Sequence, residues 1–207
     1  MEITAITPQV KDKARCSIYV DGRFYCGLAL ETTVKHRLKV GQSVSEEFLS
    51  EIQLESEKRT AFDKALTHLS ATQKTEKEMR DYLQKKGYLP ATIAYVLEKL
   101  RGYDFVNDEE YAKSYVSAKS GRKGERLLQR ELRAKGISDE AAEAALSGLD
   151  EQSQIAAAKG LLEKYLRGKA ADAATLQKAY RYLLSKGFSF DVAKSALSAV
   201  WDGEELE

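Results

Sequence analysis

Apolar residues recur with a helical period along most of this chain, and the helical runs end in a recurring way. From about Glu55 onward they stand every three to four positions, which is typical of helices packed on one face. Three of these runs end in similar segments, "YLQKKGY", "ELRAKGI" and "YLLSKGF". Glycine enters the left-handed conformation without a Cβ penalty. Each segment therefore predicts the end of a helix, followed by an apolar residue that folds back onto the last turn.

The spacing of these endings predicts a repeat of three helices. Gly87, Gly136 and Gly187 lie 49 and then 51 residues apart, and apolar residues recur at equivalent positions after each glycine. The predicted helices cover residues 56–70, 76–86, 91–101, 108–119, 123–135, 139–147, 152–167, 173–186 and 190–201. Three predicted domains contain them, at residues 55–105, 106–150 and 151–203. A single unit of this size cannot bury its apolar face. We therefore expect a mainly α fold of three tandem repeats stacked into an elongated, curved array.

Polar residues stand where several of these helices are predicted to begin. Thr75 and Glu78 form a capping-box sequence, in which each side chain accepts a hydrogen bond from the backbone of the other residue. Ser45, Asn107 and Ser189 are good N-cap residues for three further helices.

Residues 1–52 have a different pattern and are predicted to form a small α/β module. In "ARCSIYVDGRFYCGLAL", Asp-Gly stands between two strand-like runs and predicts a hairpin with a two-residue turn. In that register Ser17 faces Cys26 and Cys16 faces Gly27, so the two thiols would point to opposite faces of the sheet and form no disulfide. A short helix, "ETTVKHRL", and a weak strand, "KVGQSV", are predicted to follow, and then a further helix, "SEEFLSEI", which begins with Ser45 and has acids in its first turn.

The charge of the chain is unevenly distributed, although the net charge is only +1. Residues 111–135 contain eight Lys or Arg and two Glu, a net of +6, whereas residues 136–164 contain six acids and two Lys, a net of −4. A nearly neutral protein with one strongly basic segment can still bind a polyanion locally.

The basic segment is predicted to carry most of its cations on one helix face. At 100° per residue, the cations of "KGERLLQRELRAKG" lie opposite most of its leucines. The candidate binding residues are Lys119, Arg122, Lys123, Arg126, Arg130 and Arg133. A polyanion or an acidic protein surface is one interpretation, because guanidinium groups pair with phosphates and carboxylates. An ordinary solvated face is the other, and the residues alone leave both open. A helix-turn-helix reader of DNA is less favoured, since no recognition helix stands out.

Aromatic residues are frequent just before this segment. Tyr103, Phe105, Tyr111 and Tyr115 can stack on bases in principle. Packing where the first repeat meets the second is the favoured interpretation.

Catalysis finds little support in the sequence. The chain contains no P-loop, nucleophile elbow or HExxH sequence, and two Cys with two distant His provide no metal-site spacing. We therefore expect no enzyme activity and no cofactor. No apolar run approaches the roughly 20 residues of a membrane span, and the N-terminus does not resemble a signal peptide. The expected location is the cytoplasm.

Three stretches of the chain resemble the RecX family of recombination regulators. They are "EKEMRDYLQKKGY", "VLEKLRGYDFVNDEEYAKSYV" and "KGERLLQRELRAKGI". The resemblance covers residues 57–200 and is most specific in "FVNDEEYA" and in the second helix of the second repeat. Short α/β extensions like residues 1–52 also occur in the family.

This resemblance implies a function that the spacing of residues does not. Proteins of the RecX family bind the RecA recombinase and its filament on single-stranded DNA, and they usually inhibit strand exchange, ATP hydrolysis and repressor cleavage. The resemblance implies the same partners here, with possible direct contact to single- or double-stranded DNA and action as a monomer. A DNA-binding repeat protein independent of RecA and a helical adaptor that binds only protein are the alternatives.

Overall fold

Strands occur only at the start of the described chain, and helices follow. The computed structural model describes residues 1–10, 12–170 and 172–201. The strands are β1 (Ile3–Pro8), β2 (Arg15–Val20) and β3 (Arg23–Ala29). The helices are α1 (Leu30–Lys35), α2 (Glu46–Leu69), α3 (Glu76–Lys85), α4 (Pro90–Gly102), α5 (Asp108–Lys119), α6 (Glu125–Ala134), α7 (Asp139–Leu146), α8 (Glu151–Leu166), α9 (Ala173–Ser185) and α10 (Phe190–Val200). The predicted mainly α fold, with three three-helix repeats after a small module containing a hairpin, is confirmed. Residues 202 and 203, at the end of the predicted third repeat, lie outside the described residues.

The N-terminal sheet has three antiparallel strands in the order β1-β2-β3. The hairpin of β2 and β3 is confirmed, and its turn residues Asp21 and Gly22 have φ angles of +49° and +79°, as a two-residue turn requires. Strand β1 was not predicted. It ends at Pro8, a residue that is depleted in strands.

The pairing of β2 with β3 corrects the predicted register. A bulge between Ile18 and Tyr19 shifts the pairing by one residue, so Cys16 faces Leu28 and Ser17 faces Gly27. Because a shift of one residue exchanges the faces of a strand, the prediction that the two thiols point to opposite faces is wrong. Cys16 and Cys26 both lie in the core of the sheet as free thiols. The Cys16 Sγ atom lies 2.9 Å from Oγ1 of Thr33 on α1.

Helix α2 joins two segments that the sequence predicted as separate helices. It begins at the N-cap Ser45, whose side chain accepts a hydrogen bond from the Phe48 N–H at 3.1 Å, and it continues for 24 residues. The helix therefore runs unbroken through residues 52–55, where the predicted module and first repeat were divided. The segment "KVGQSV" forms no strand within the described residues and contributes one isolated bridge, between Glu2 and Ser43.

The three predicted helix endings form Schellman motifs. Gly87, Gly136 and Gly187 have φ angles of +85°, +86° and +88°. After α6, the Gly136 N–H donates to the carbonyl of Arg133 at 3.0 Å, and the next N–H donates to the carbonyl of Leu132 at 3.1 Å. The same pattern follows α3 and α9.

The predicted helix starts are also present. The Thr75 N–H donates to Oε2 of Glu78, and the Glu78 N–H donates to Oγ1 of Thr75, both at 3.2 Å, which completes the capping box. The side chain of Asn107 accepts from the Glu110 N–H at 3.0 Å. Ser189 caps α10 in the same way.

The described chain forms two compact units. The first contains residues 1–74 and 79–106, and the second contains residues 75–78 with the chain from Asn107 onward. In the first unit, the sheet and the first repeat each have an apolar core. In the second unit, the second and third repeats each have one.

Candidate functional site

Helix α6, which carries most of the candidate residues, begins against the third repeat. Its N-cap Gly124 donates its N–H to the carbonyl of Lys186 at 2.9 Å. The Arg126 N–H donates to the carbonyl of Gly187 at 3.2 Å, and the Glu125 N–H donates to Oε1 of Gln154 at 3.2 Å. The first N–H groups of a helix have no partner within the helix, and here the third repeat accepts their hydrogen bonds. These bonds fix the orientation of the first turn of α6 relative to the third repeat.

The predicted separation of cations from leucines on α6 is confirmed. Leu128 and Leu132 are fully buried, whereas Arg126, Arg130 and Arg133 are exposed. This helix is strongly amphipathic because its buried and charged residues occupy opposite sides.

Two further cations lie in the turn before α6. Lys119 is the last residue of α5, and Arg122 donates its N–H to the Lys119 carbonyl at 2.9 Å. Both side chains are exposed. Together with the three exposed arginines of α6 they form the basic surface, which consists of Lys119, Arg122, Arg126, Arg130 and Arg133.

Lys123 lies elsewhere than predicted. Helix α6 begins at Glu125, so Lys123 precedes the N-cap and is not part of the helical stripe. Its Nζ atom lies 2.6 Å from both carboxylate oxygens of Glu131, which also accepts a hydrogen bond from the Tyr115 hydroxyl at 2.9 Å. Burial opposes the ionisation of Glu131, but the hydrogen bonds from Lys123 and Tyr115 outweigh it and lower its pKa. The ammonium group is thus held inside the second repeat, because α6 starts two residues later than its sequence pattern indicates.

The remaining arginines of the basic surface have different partners. Arg133 forms an ion pair with Asp139 at the start of α7, and this hydrogen bond raises the pKa of the guanidinium group. Within the described residues, no carboxylate forms an ion pair with Arg126 or Arg130. These two arginines are therefore the members of the α6 stripe whose charge is not neutralised by contact with an acid.

A groove beside these two arginines was not predicted from the sequence. It encloses about 290 Å³ and is lined by Arg126, Arg130, Leu127, Phe188 and Phe190, among others. The guanidinium carbon of Arg126 lies 5.4 Å from the centre of the Phe190 ring, which is 56% exposed. An arginine on an aromatic face retains its outward N–H donors for a phosphate or a carboxylate. One feature of the sequence could have indicated Phe190. It is a large apolar residue at the first position of a helix capped by Ser189, where the capping pattern does not call for one.

The four candidate aromatic residues separate into two pairs. Tyr111 and Tyr115 pack against the core of the second repeat, with ring centroids 6.1 Å apart. Tyr103 and Phe105 are 57% and 52% exposed. The prediction that all four are packing residues is therefore wrong for Tyr103 and Phe105.

Among the described residues, no cluster of three or more His, Cys, Asp or Glu side chains could hold a metal ion. Burial, followed by the proximity of Cys16, raises the pKa of the Cys26 thiol to about 11, which disfavours the nucleophilic thiolate. No described helix has the length and apolar character needed to cross a membrane.

Four protein-family models match consecutive parts of the chain. The "Regulatory protein RecX N-terminal domain" matches residues 1–45. The first, second and third three-helix domains of RecX match residues 61–100, 107–146 and 152–197. A regulatory protein RecX from Bacillus licheniformis is 37% identical over 94% of this chain and 76% of its own length. The chain belongs to the RecX family.

Other RecX proteins match over similar or greater lengths. The Bacillus subtilis protein is 37% identical over 96% of this chain and 76% of its own length. A Clostridium perfringens RecX is 32% identical over 100% of this chain and 99% of its own length.

Solved RecX structures share the fold. A crystal structure of regulatory protein RecX matches with a TM-score of 0.70 and 29% identity, covering 93% of this chain and 97% of the other. The structure of RecX from Lactobacillus salivarius matches with a TM-score of 0.64 and 30% identity, covering 70% and 96%.

Proposed function

We propose that this chain binds RecA and the filament that RecA forms on single-stranded DNA, and that it modulates the filament, mainly by inhibition. Recombination, ATP hydrolysis and RecA-stimulated repressor cleavage would then fall together, in DNA repair and the SOS response. The observation that carries the proposal is membership of the RecX family, with relatives named regulatory proteins along almost the whole chain.

The basic surface supplies the contact in this proposal. Arg126 and Arg130 are exposed, point away from the buried leucines and lie beside Phe190. Arginine forks match the planar oxygens of a phosphate or a carboxylate. They can therefore engage the DNA backbone of the filament or an acidic surface of RecA. Lys119 and Arg122 extend the surface from the preceding turn, and Arg133 contributes less because Asp139 already pairs with it.

The protein acts by binding and not by chemistry in this proposal. It works as a monomer in the cytoplasm, without a cofactor. Lys123 supports the surface indirectly, because its ion pair with Glu131 ties the turn before α6 to the middle of the helix.

The test is ATP hydrolysis by RecA on single-stranded DNA, titrated with this protein at a fixed, moderate salt concentration. A fall in hydrolysis at substoichiometric protein is expected, because one bound regulator can affect a stretch of filament. No change with RecA from the same organism would overturn the proposal.

The alternatives have their own signatures in the same experiment. A DNA-binding protein independent of RecA would inhibit only at amounts that cover the DNA, and its binding to bare DNA would weaken steeply with salt as counterions are released. An adaptor that binds only protein would show no affinity for bare DNA and little dependence on salt.

A further inference from the structure

The first repeat carries four neighbouring aromatic side chains, of which three are exposed and one, Phe62, packs partly buried against its core. Tyr95 on α4 is 36% exposed, and Tyr103 and Phe105 follow the end of the same helix at 57% and 52%. The ring centroids of Tyr103 and Phe105 are 5.8 Å apart, and the centroid of Phe62 on α2 is 6.2 Å from that of Tyr103. The aromatic cluster means these four residues.

The exposure of Phe105 departs from the pattern of the other helix endings. Helix α4 also ends in a Schellman motif, with Asp104 in the left-handed conformation at φ +57°. The Asp104 N–H donates to the Arg101 carbonyl and the Phe105 N–H to the Leu100 carbonyl, both at 2.9 Å. The residue at the position of Phe105 is Ile137 after α6 and Phe188 after α9. Those two residues are 4% and 1% exposed.

The chain after α4 buries a different residue. Val106 is 4% exposed and belongs to the core of the first repeat. The turn therefore presents Tyr103 and Phe105 outward and leaves the apolar contact to Val106. Both rings are therefore accessible to a partner from solvent.

Two lysines accompany the rings. The Nζ atom of Lys58 lies 4.8 Å from the centre of the Tyr95 ring, and that of Lys99 lies 6.0 Å from it and 5.8 Å from the centre of the Tyr103 ring. Among the described residues, no carboxylate forms an ion pair with either lysine. Their ammonium groups therefore remain available to an anion.

Two acids line the groove beside the cluster, and one of them is paired with cations. Glu55 pairs with Lys35 and His36, and hydrogen bonds from these two residues lower its pKa. Asp63 is the other carboxylate that lines the groove beside Tyr95 and Tyr103, which encloses about 390 Å³. The groove thus combines ring faces with two cations that have no acidic partner.

We propose that the aromatic cluster is a site for single-stranded DNA, with unpaired bases stacked on Tyr103 and Phe105 and phosphates bound by Lys58 and Lys99. Aromatic faces with interspersed cations are the arrangement by which proteins hold single strands without reading their sequence. Duplex DNA does not fit the same role, because its bases are already stacked on one another. This site lies in the first repeat, whereas the basic surface belongs to the second. It extends the proposed function to a direct contact with the DNA strand.

The test uses the full-length chain and a fluorescein-labelled oligothymidylate, without RecA, followed by fluorescence anisotropy. The double variant Tyr103→Ala, Phe105→Ala is expected to bind at least about tenfold more weakly, since each of the two stacked bases that are lost corresponds to a factor of about five or more. Both side chains are exposed, so the circular dichroism spectrum and thermal midpoint should remain close to those of the wild type.

Matched controls separate stacking from a general loss of apolar surface. Phe24→Ala removes an aromatic side chain that is 61% exposed on the N-terminal hairpin, and it should leave the affinity unchanged. Tyr103→Phe retains the ring and should also bind normally. Competition by duplex DNA should be equal for the wild type and the double variant. An unchanged affinity of the double variant, or no binding by the wild type, overturns the inference.

The inference and the proposed function can fail independently. If the wild type has no effect on RecA while its binding of oligothymidylate depends on the two rings, the proposed function is wrong and the DNA site stands. If the double variant loses the effect on RecA but binds oligothymidylate normally, the rings contact protein and the DNA site is wrong.

Discussion

Gly124 and Gly187 touch through their backbones with no side chain between them. A Cβ atom on Gly124 would lie 2.3 Å from the carbonyl carbon of Gly187, and one on Gly187 would lie 2.3 Å from the Cβ atom of Leu127. The start of α6 and the end of α9 therefore approach more closely than any other residue type permits. This contact brings Arg126 over the ring of Phe190.

Replacing Gly124 with alanine is expected to destabilise the second unit by about 2 kcal/mol or more, since the added methyl group has no space and the backbone must shift. The measurement is urea unfolding followed by circular dichroism. Gly148→Ala is the matched control, because a Cβ atom there would meet nothing within 4 Å. Its unfolding midpoint should stay near that of the wild type, and equal midpoints for the two variants would contradict the close contact.

Reversing two charges of the basic surface is expected to reduce the inhibition of RecA while the fold is retained. In the double variant Arg126→Glu, Arg130→Glu, two exposed guanidinium groups without ion-pair partners become carboxylates, so an anionic partner is repelled. The concentration for half-inhibition of RecA ATP hydrolysis should rise at least about tenfold, which corresponds to about 1.4 kcal/mol of binding free energy.

The control for this experiment carries the same change in net charge at another place. Arg23→Glu with Lys39→Glu alters two exposed cations of the N-terminal module. Inhibition by this variant should match that of the wild type. If the arginine variant unfolds, or if both variants lose inhibition equally, the basic surface is not the site.

The ion pair of Lys123 and Glu131 is expected to stabilise the second repeat in a pH-dependent way. The pKa of Glu131 in the folded chain is lower than its ordinary value of 4.5. Its contribution is therefore fully present above pH 4.5 and is lost as the pH falls through the lower, folded-state pKa. Glu131→Gln should cost about 1 kcal/mol at pH 7, and the difference from the wild type should shrink below about pH 4.5.

This dependence can be measured from urea midpoints at several pH values. Glu163→Gln, at an exposed position on α8, is the control and should leave the stability unchanged at each pH. If the loss of stability of Glu131→Gln relative to the wild type is the same from pH 7 to pH 3, the lost contact is not electrostatic.

The two cysteines are expected to resist thiol reagents until the sheet unfolds. Both side chains are buried, and a pKa of about 11 leaves roughly one Cys26 thiol in a thousand ionised at pH 8. Labelling with an aromatic disulfide reagent at pH 8 should be slow in buffer and fast in urea. Rapid labelling of one thiol in buffer would indicate that the sheet opens locally.

The helices were predictable because their signals are local. Each repeat glycine lies one residue after its C-cap, and Thr75 and Glu78 form hydrogen bonds with each other within one helical turn. Exposed arginines and buried leucines on α6 likewise follow from a period of 3.6 residues.

The parts that were missed depend on contacts between distant residues. The bulge at Ile18 alters the register, and the core on which the strands pack includes Leu49 and Ile52, which lie outside the hairpin sequence. Gly124 and Gly187 are 63 positions apart, and nothing near either residue indicates that they touch. The groove beside Phe190 is lined by residues of α6 and of the third repeat, which meet at that contact. The sequence therefore indicated the basic face of α6 but not the groove beside it.

The unbroken course of α2 constrains how this protein can change in evolution. Leu49 and Ile52 of this helix belong to the core of the sheet, whereas Ala61 and Ala65 belong to the core of the first repeat. One inserted residue between these pairs would turn one pair relative to the other by about 100° about the helix axis, so the two cores could no longer both keep their present contacts with α2. An insertion of about seven residues, close to two whole turns, would restore the angle. The length of this segment is thus expected to vary among functional descendants only in steps of whole turns, even where its exposed residues change freely.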